Sequence, residues 1–208
     1  MKDEENAFRS RPYAYILKLK GTPMAITPSQ MIPLGTKAPD FTLRDVASGK
    51  TLSLSQLKSE KATVVVFMCA HCGFVRHIIR DLVKLANQYI PKGISFIAIS
   101  SNDAESYPMD SPDNLKRQAE EFKFPFPYFY DSTQEIARAY GAECTPDFFV
   151  FDSGLHCVYR GQFDDSRPGN EIPITGKDLK AALDAILEGK PVSEVQKPNT
   201  GCNIKWKA

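Results

Sequence analysis

The chain has 208 residues, 42% hydrophobic and 25% charged, which is the composition of one globular domain with short appendages and too little for two. Its 26 basic and 25 acidic side chains leave a net charge of +1, giving no electrostatic case for nucleic acid or an anionic membrane as a partner. The longest apolar run, Val64 to Ala70, falls far short of the roughly 18 residues a membrane span needs. Five cysteines are too few for a disulfide framework and fit reactive thiols in a reducing compartment, and a cytoplasmic location is expected from the absence of a secretory signal.

The acidic start and the short apolar stretch Tyr13–Leu17 do not make a secretory signal. Residues 1–30 read as a loosely held arm, with Met24 an alternative first residue. From Pro33 to residue 190 the chain alternates strands and helices. Ala38–Leu43 and Lys50–Leu54 flank the turn residues Ser48 and Gly49, predicting an N-terminal β-hairpin. Thr63–Met68 is rich in β-branched residues and apolar on both faces, as a central buried strand must be. Val75, Ile78, Ile79, Leu82, Leu85, Ala86 and Tyr89 then fall at helical spacing until Pro91 and Gly93 stop the helix.

Ile94–Ser100 is a second buried strand. Ser111-Pro112 opens a helix to about Phe122. Ser132 and Glu135 form a capping-box pattern for a helix ending before Gly141. Asp147–Phe151 and Cys157–Phe163 form an antiparallel pair around Ser153-Gly154, and Thr175–Asp178 caps a last helix to Gly189. The tail 191–208 has too little apolar content to fold alone and should pack on the domain. This order predicts an α/β sandwich: a central mixed sheet flanked by helices.

Cys69-Ala70-His71-Cys72 stands where a buried strand ends and an amphipathic helix begins. Free backbone N–H groups and the positive end of the helix dipole favour a thiolate there. Such motifs lower a thiol from about 8.5 to roughly 3.5–7.5, and two units correspond to about 2.7 kcal/mol. Cys69 is expected to be the exposed nucleophile and Cys72, one turn inward, the resolving thiol. The alternative of a structural zinc site needs two more ligands, and Cys144, Cys157 and Cys202 form no second pair. His77 lies one turn beyond.

With Thr145-Pro146 entering the later strand Asp147–Phe151, the chain resembles the thioredoxin superfamily. More narrowly it resembles the peroxiredoxin-like branch, the redoxins related to alkyl hydroperoxide reductase and thiol-specific antioxidant proteins. The segments that carry the likeness are Gly35–Leu43, Phe67–Cys72 with Val75–Ile78, Ile97–Asp103, Tyr140–Phe149, Gly161–Pro168 and Gly201–Trp206. They span nearly everything but the N-terminal arm. The resemblance implies a thioredoxin-like sandwich and a cis bond before Pro146, with the preceding backbone able to pair with a substrate strand. It implies no cofactor, protein or small-molecule disulfides as substrates, an external thiol as electron donor, and a homodimer as one arrangement open to the fold.

The departures from the family pattern are informative. Met68 replaces the Trp of thioredoxins, Ala70-His71 replaces Gly-Pro, and Thr63 stands where they carry a buried Asp that helps deprotonate the second thiol. His71 occupies the place of the His in the strongly oxidising DsbA family. The expected potential therefore lies between about −270 mV for thioredoxin and about −120 mV for DsbA. Peroxiredoxins place Pro seven and Thr or Ser three residues before their peroxidatic cysteine. The corresponding residues here are Val65 and Cys69 before Cys72, or Ala62 and Val66 before Cys69, which leaves antioxidant peroxidase activity the second choice.

Cys144, two residues before Pro146, is expected near the motif, either as a third thiol or as a small packed residue. Arg167 in the charged loop Asp164–Pro168 either orders the loop through the aspartates or steers an anionic substrate. Cys202 and Trp206 read as clips for the tail, and Cys157 as packing. The expected activity is thiol–disulfide exchange by Cys69 and Cys72, with His71, Thr145 and Pro146 tuning the pair or binding substrate and no metal. Its rivals are the peroxidase, a copper-handling relative using His71, His77 or His156, and a redox-inert scaffold.

Overall fold

The structure, a computed structural model, describes residues 26–208. Its centre is a five-stranded mixed sheet. In chain order its strands are β4 (Ala62–Phe67), β5 (Ile94–Ser100), β6 (Tyr128–Tyr130), β8 (Asp147–Asp152) and β9 (Cys157–Gly161), arranged β6-β5-β4-β8-β9. β4 runs parallel to β5 and antiparallel to β8, so the β-branched strand expected at the centre is there, and all six of its residues are buried. The remaining strands are β1 (Ile26–Pro28), β2 (Thr42–Arg44), β3 (Thr51–Ser53), β7 (Cys144–Thr145) and β10 (Thr200–Asn203). β2 and β3 form the expected hairpin.

Strand periodicity divides the interior in two, because successive side chains leave opposite faces of a sheet. Val64 and Val66 of β4, Phe96 of β5 and Phe148 and Val150 of β8 enter one core. Val65, Phe67, Ile97, Ile99, Phe149 and Phe151 enter the other. The first core is closed by α2 (Gly73–Tyr89), α3 (Pro112–Glu121) and α5 (Lys177–Leu187). α2 presents Val75, Ile78, Ile79, Leu82, Leu85, Ala86 and Tyr89 to it, the stripe read from the sequence. The second core is closed by α1 (Leu54–Leu57), α4 (Glu135–Tyr140) and Trp206. Each fully buried apolar side chain contributes about 1.5–3 kcal/mol.

Three local expectations are corrected. The capping box before α4 does not form. Gln134 precedes the helix at φ 65° with no side-chain cap, and its amide instead donates to the carbonyls of Ser101 and Lys205. The Asp131 carboxylate, not Ser132, receives the Ala137 amide. At α5 the turn is held from a distance, with Asp164 Oδ2 accepting both the Thr175 and Gly176 amides at 2.6 Å. Thirdly, residues 26–30 belong to the folded body: β1 pairs with β10, and Ser29 is buried. The rest of the arm lies outside the described residues.

The tail packs on the domain and does more. β10 lies between β1 and β7 in a second, three-stranded sheet, with Cys202 opposite Ile26 on one side and Thr145 on the other. Gln196 bonds the backbone of Arg160 and Val158. Among the described residues, no helix is long and apolar enough to cross a membrane.

Candidate active site

Cys69 follows β4 directly, and Cys72 is the N-cap residue of α2. The intervening backbone is pinned by a residue that sequence reasoning missed. Asp110, fully buried in the short turn Pro108–Asp110, accepts the Ala70 and His71 amides on Oδ1 at 2.9 and 3.1 Å. On Oδ2 it receives His71 Nδ1 at 2.5 Å and Asn102 Nδ2 at 2.7 Å. The His71 ring stacks on Tyr107 with centroids 5.6 Å apart, and its Nε2 is buried without a bonding partner among the described residues.

The Thr145-Pro146 bond is cis, as the resemblance implied. Thr145 faces the motif: its hydroxyl is 3.5 Å from Cys69 Sγ and its carbonyl oxygen 3.1 Å from Cys72 Sγ. On the far side of Cys72, Cys202 Sγ lies 2.9 Å from its sulfur. All five cysteines are buried. The expectation that Cys69 is exposed is therefore corrected. The Tyr107–Asp110 turn closes over the His71 side, and β10 lies over Cys72.

The two thiols have opposite tendencies. Burial pushes Cys69 well above the ordinary thiol range, helped by its bond to Cys72 and by the negative charge of Asp110. Burial also opposes an anion on Cys72, but its contacts with Cys202, Cys69, Thr145 and the Val75 backbone outweigh burial and hold Cys72 well below that range. Its position at the N-terminus of a 17-residue helix acts in the same sense. Cys202 is pushed strongly up, first by its contact with Cys72 and then by burial.

The other candidates fall elsewhere. Cys144 points away from the motif because neighbouring strand residues face opposite sides. With Thr145 turned towards the thiols, the Cys144 sulfur meets Ser29 at 3.7 Å and the Pro146 carbonyl at 3.6 Å. Arg167 is engaged in its own loop, donating to Asp164 O, Ser166 O and Gln162 Oε1 at 2.6–2.7 Å. It orders the loop through backbone carbonyls and the Gln162 amide, not through the aspartate carboxylates expected. His77 bonds Ser166 at 2.8 Å, and His156 sits beside Asp152 in the hairpin before β9. Cys69, His71 and Asp110 are the group of ligand-type atoms that converges within 4.8 Å among the described residues. Both oxygens of the Asp110 carboxylate already accept hydrogen bonds, from the Ala70 and His71 amides, the His71 ring and Asn102.

A strand, a thiol pair at a helix N-terminus and a facing cis-proline, on a mixed sheet flanked by helices, define a thioredoxin-like redoxin. A model of the AhpC/TSA family matches residues 34–159, and the chain belongs to that family. An uncharacterised conserved protein from Geobacillus kaustophilus is 60% identical over 88% of this chain and 97% of its own, with a TM-score of 0.87. A hypothetical protein from Sinorhizobium meliloti is 45% identical over 88% and 99%, with a TM-score of 0.85. A peroxidoxin from Mycobacterium tuberculosis shares the fold at 20% identity, covering 75% of this chain and 96% of its own, with a TM-score of 0.56. No curated protein matches the chain.

Proposed function

We propose that the protein is a thiol–disulfide oxidoreductase whose working pair is Cys69 and Cys72. The observation that carries this reading is their placement: Cys69 directly after β4 and Cys72 as the N-cap of α2, 3.5 Å and 3.1 Å from the Thr145 hydroxyl and carbonyl beside the cis-proline. A pair so placed, with a thiolate disfavoured on Cys69 and favoured on Cys72, is prepared for exchange. Cys69 attacks one sulfur of an outside disulfide, its proton passing to the Cys72 thiolate, and the first leaving sulfur departs as thiolate. Cys72 then attacks Cys69 Sγ in the mixed disulfide, and its proton leaves with the second thiol. The protein is left with a Cys69–Cys72 bond and the substrate reduced by two electrons. An external thiol donor restores the pair.

Donors to Cys72 do the work that a buried acid would otherwise do, which accounts for Thr63 standing at that place. Because both sulfurs are buried, exchange proceeds from an opened state in which the Tyr107–Asp110 turn or β10 has moved aside. Five cysteines, too few for a disulfide framework, suit a reducing compartment such as the cytoplasm. The substrates that fit this reading are protein or small-molecule disulfides.

The test is turnover of a small aromatic disulfide with a thiol donor, followed by non-reducing mass spectrometry. Cys69→Ser is expected to lose about a hundredfold or more of the rate. Cys72→Ser is expected to accumulate a mixed disulfide on Cys69. Full activity in either variant would overturn the mechanism.

A further inference from the structure

We propose that Cys202 is a third redox thiol, one that takes over Cys72 from Cys69 to form a Cys72–Cys202 disulfide in the oxidised protein. This deepens the disulfide-exchange reading and rests on it. The geometry comes from the C-terminal strand. β10 is hydrogen-bonded on both edges, with Cys202 opposite Thr145 in one register and Ile26 in the other, and its sulfur is delivered to 2.9 Å from Cys72 Sγ.

The surrounding contacts fix that approach. Asn199 donates its side-chain amide to the Pro146 carbonyl, Ile204 bonds Glu143 at 3.0 Å, and Lys205 bonds Asn102 Oδ1 at 2.8 Å. Gly201 packs against the Thr145 carbonyl so closely that a Cβ would overlap it. A cysteine needed only to fill space would not require a sulfur-to-sulfur approach on the atom at the centre of the redox pair. Cys72 shares the motif with Cys69, both facing Thr145, and meets Cys202 on β10, which makes it the branching sulfur.

The step is an exchange that needs no further oxidant. Starting from the Cys69–Cys72 disulfide, the Cys202 sulfur attacks Cys72 Sγ. The Cys69–Cys72 bond breaks with its electron pair on Cys69, and the proton of Cys202 passes to Cys69. One disulfide replaces another, no net electrons move, and β10 becomes covalently fastened to the start of α2. Cys69 is then a free thiol again beside His71. Thr145, the backbone edge on which the strand lies, stays paired throughout.

The test is to oxidise the full chain with excess oxidised glutathione, quench in acid, alkylate and map the linked peptides. Wild type is expected to show Cys72–Cys202 alongside Cys69–Cys72. Cys69→Ser is expected to show Cys72–Cys202 as the main product, with at least tenfold less glutathione on Cys72 than in the Cys69→Ser/Cys202→Ser double variant. Should Cys69→Ser hold glutathione on Cys72 while Cys202 alkylates freely, the proposal is overturned. Wild type needs no substitution to fold, and Cys202 alkylating fully at every degree of oxidation there overturns it equally. If wild type forms Cys69–Cys72 with Cys202 always free, the exchange reading survives and the third thiol does not. If Cys72–Cys202 forms in Cys69→Ser but wild type never makes Cys69–Cys72, the exchange reading is the one that fails.

Discussion

Asp110 pins the motif from outside it. Its carboxylate holds two successive motif amides and the His71 ring, so the imidazole beside Cys69 is accompanied by a compensating negative charge. A lone cationic His would favour the Cys69 thiolate; the Asp110 charge disfavours it. Replacing Asp110 by Asn in a Cys72→Ser background, where Cys69 titrates without its partner, is expected to lower the Cys69 pKa by about one unit or more. Ultraviolet thiolate absorbance against pH measures it, and an unchanged or raised value would contradict the role given to Asp110. The local sequence showed Cys69, His71, Cys72, Thr145 and Pro146 because the motif lies at a strand–helix junction and the proline enters a strand. It could not show Asp110, which reaches the motif from about 40 positions away, or the contact of Cys202 with Cys72, 130 positions apart. No periodicity or spacing rule encodes contacts that long.

At the scale of elements, β10 closes the site. The strand is short and has little apolar content, and its place comes from backbone pairing to β1 and β7 rather than from a hydrophobic stripe a sequence reader can follow. The buried strands and α2 were legible for the opposite reason: their burial leaves a periodic apolar pattern. The capping box before α4 misled because its hydroxyl and carboxyl competed with tertiary partners, and Gln134, with both ends of its amide bonded to distant backbone, won the position. Gly201 offers a direct probe of β10. Gly201→Ala forces a Cβ into the Thr145 carbonyl, and overpacking of this kind costs about 1–3 kcal/mol. The expected result is a lower melting temperature together with faster alkylation of Cys72 and Cys202. Unchanged alkylation would show that β10 does not control access to the thiols.

On the scale of the whole molecule, one buried acid gives stability a pH dependence. Asp147 follows the cis-proline, its Oδ1 receives the Ser29 hydroxyl at 2.6 Å, and its Oδ2 is buried without a bonding partner among the described residues. Burial, against the opposing bond from Ser29, pushes its carboxyl from 3.8 up to about 7. A raised carboxyl means that the folded chain holds the proton more tightly than the unfolded one. Its contribution is complete below about pH 4 and is lost as pH rises towards 7. Asp147→Asn, which mimics the protonated acid, is expected to abolish that loss, worth up to ~4 kcal/mol at neutral pH. Denaturant titrations of both proteins between pH 4 and 8 check this. A wild-type curve that gains stability relative to Asp147→Asn over the same interval would contradict it.

The central claim is that Cys69 and Cys72 form a working redox couple, and an equilibrium titration against glutathione, read by alkylation and peptide mapping, tests it most directly. The account predicts reversible interconversion of the two thiols with a Cys69–Cys72 disulfide, at a potential between the roughly −270 mV of thioredoxin and −120 mV of DsbA. Two thiols that stay reduced across the whole range, or that oxidise only to separate glutathione adducts, would contradict it.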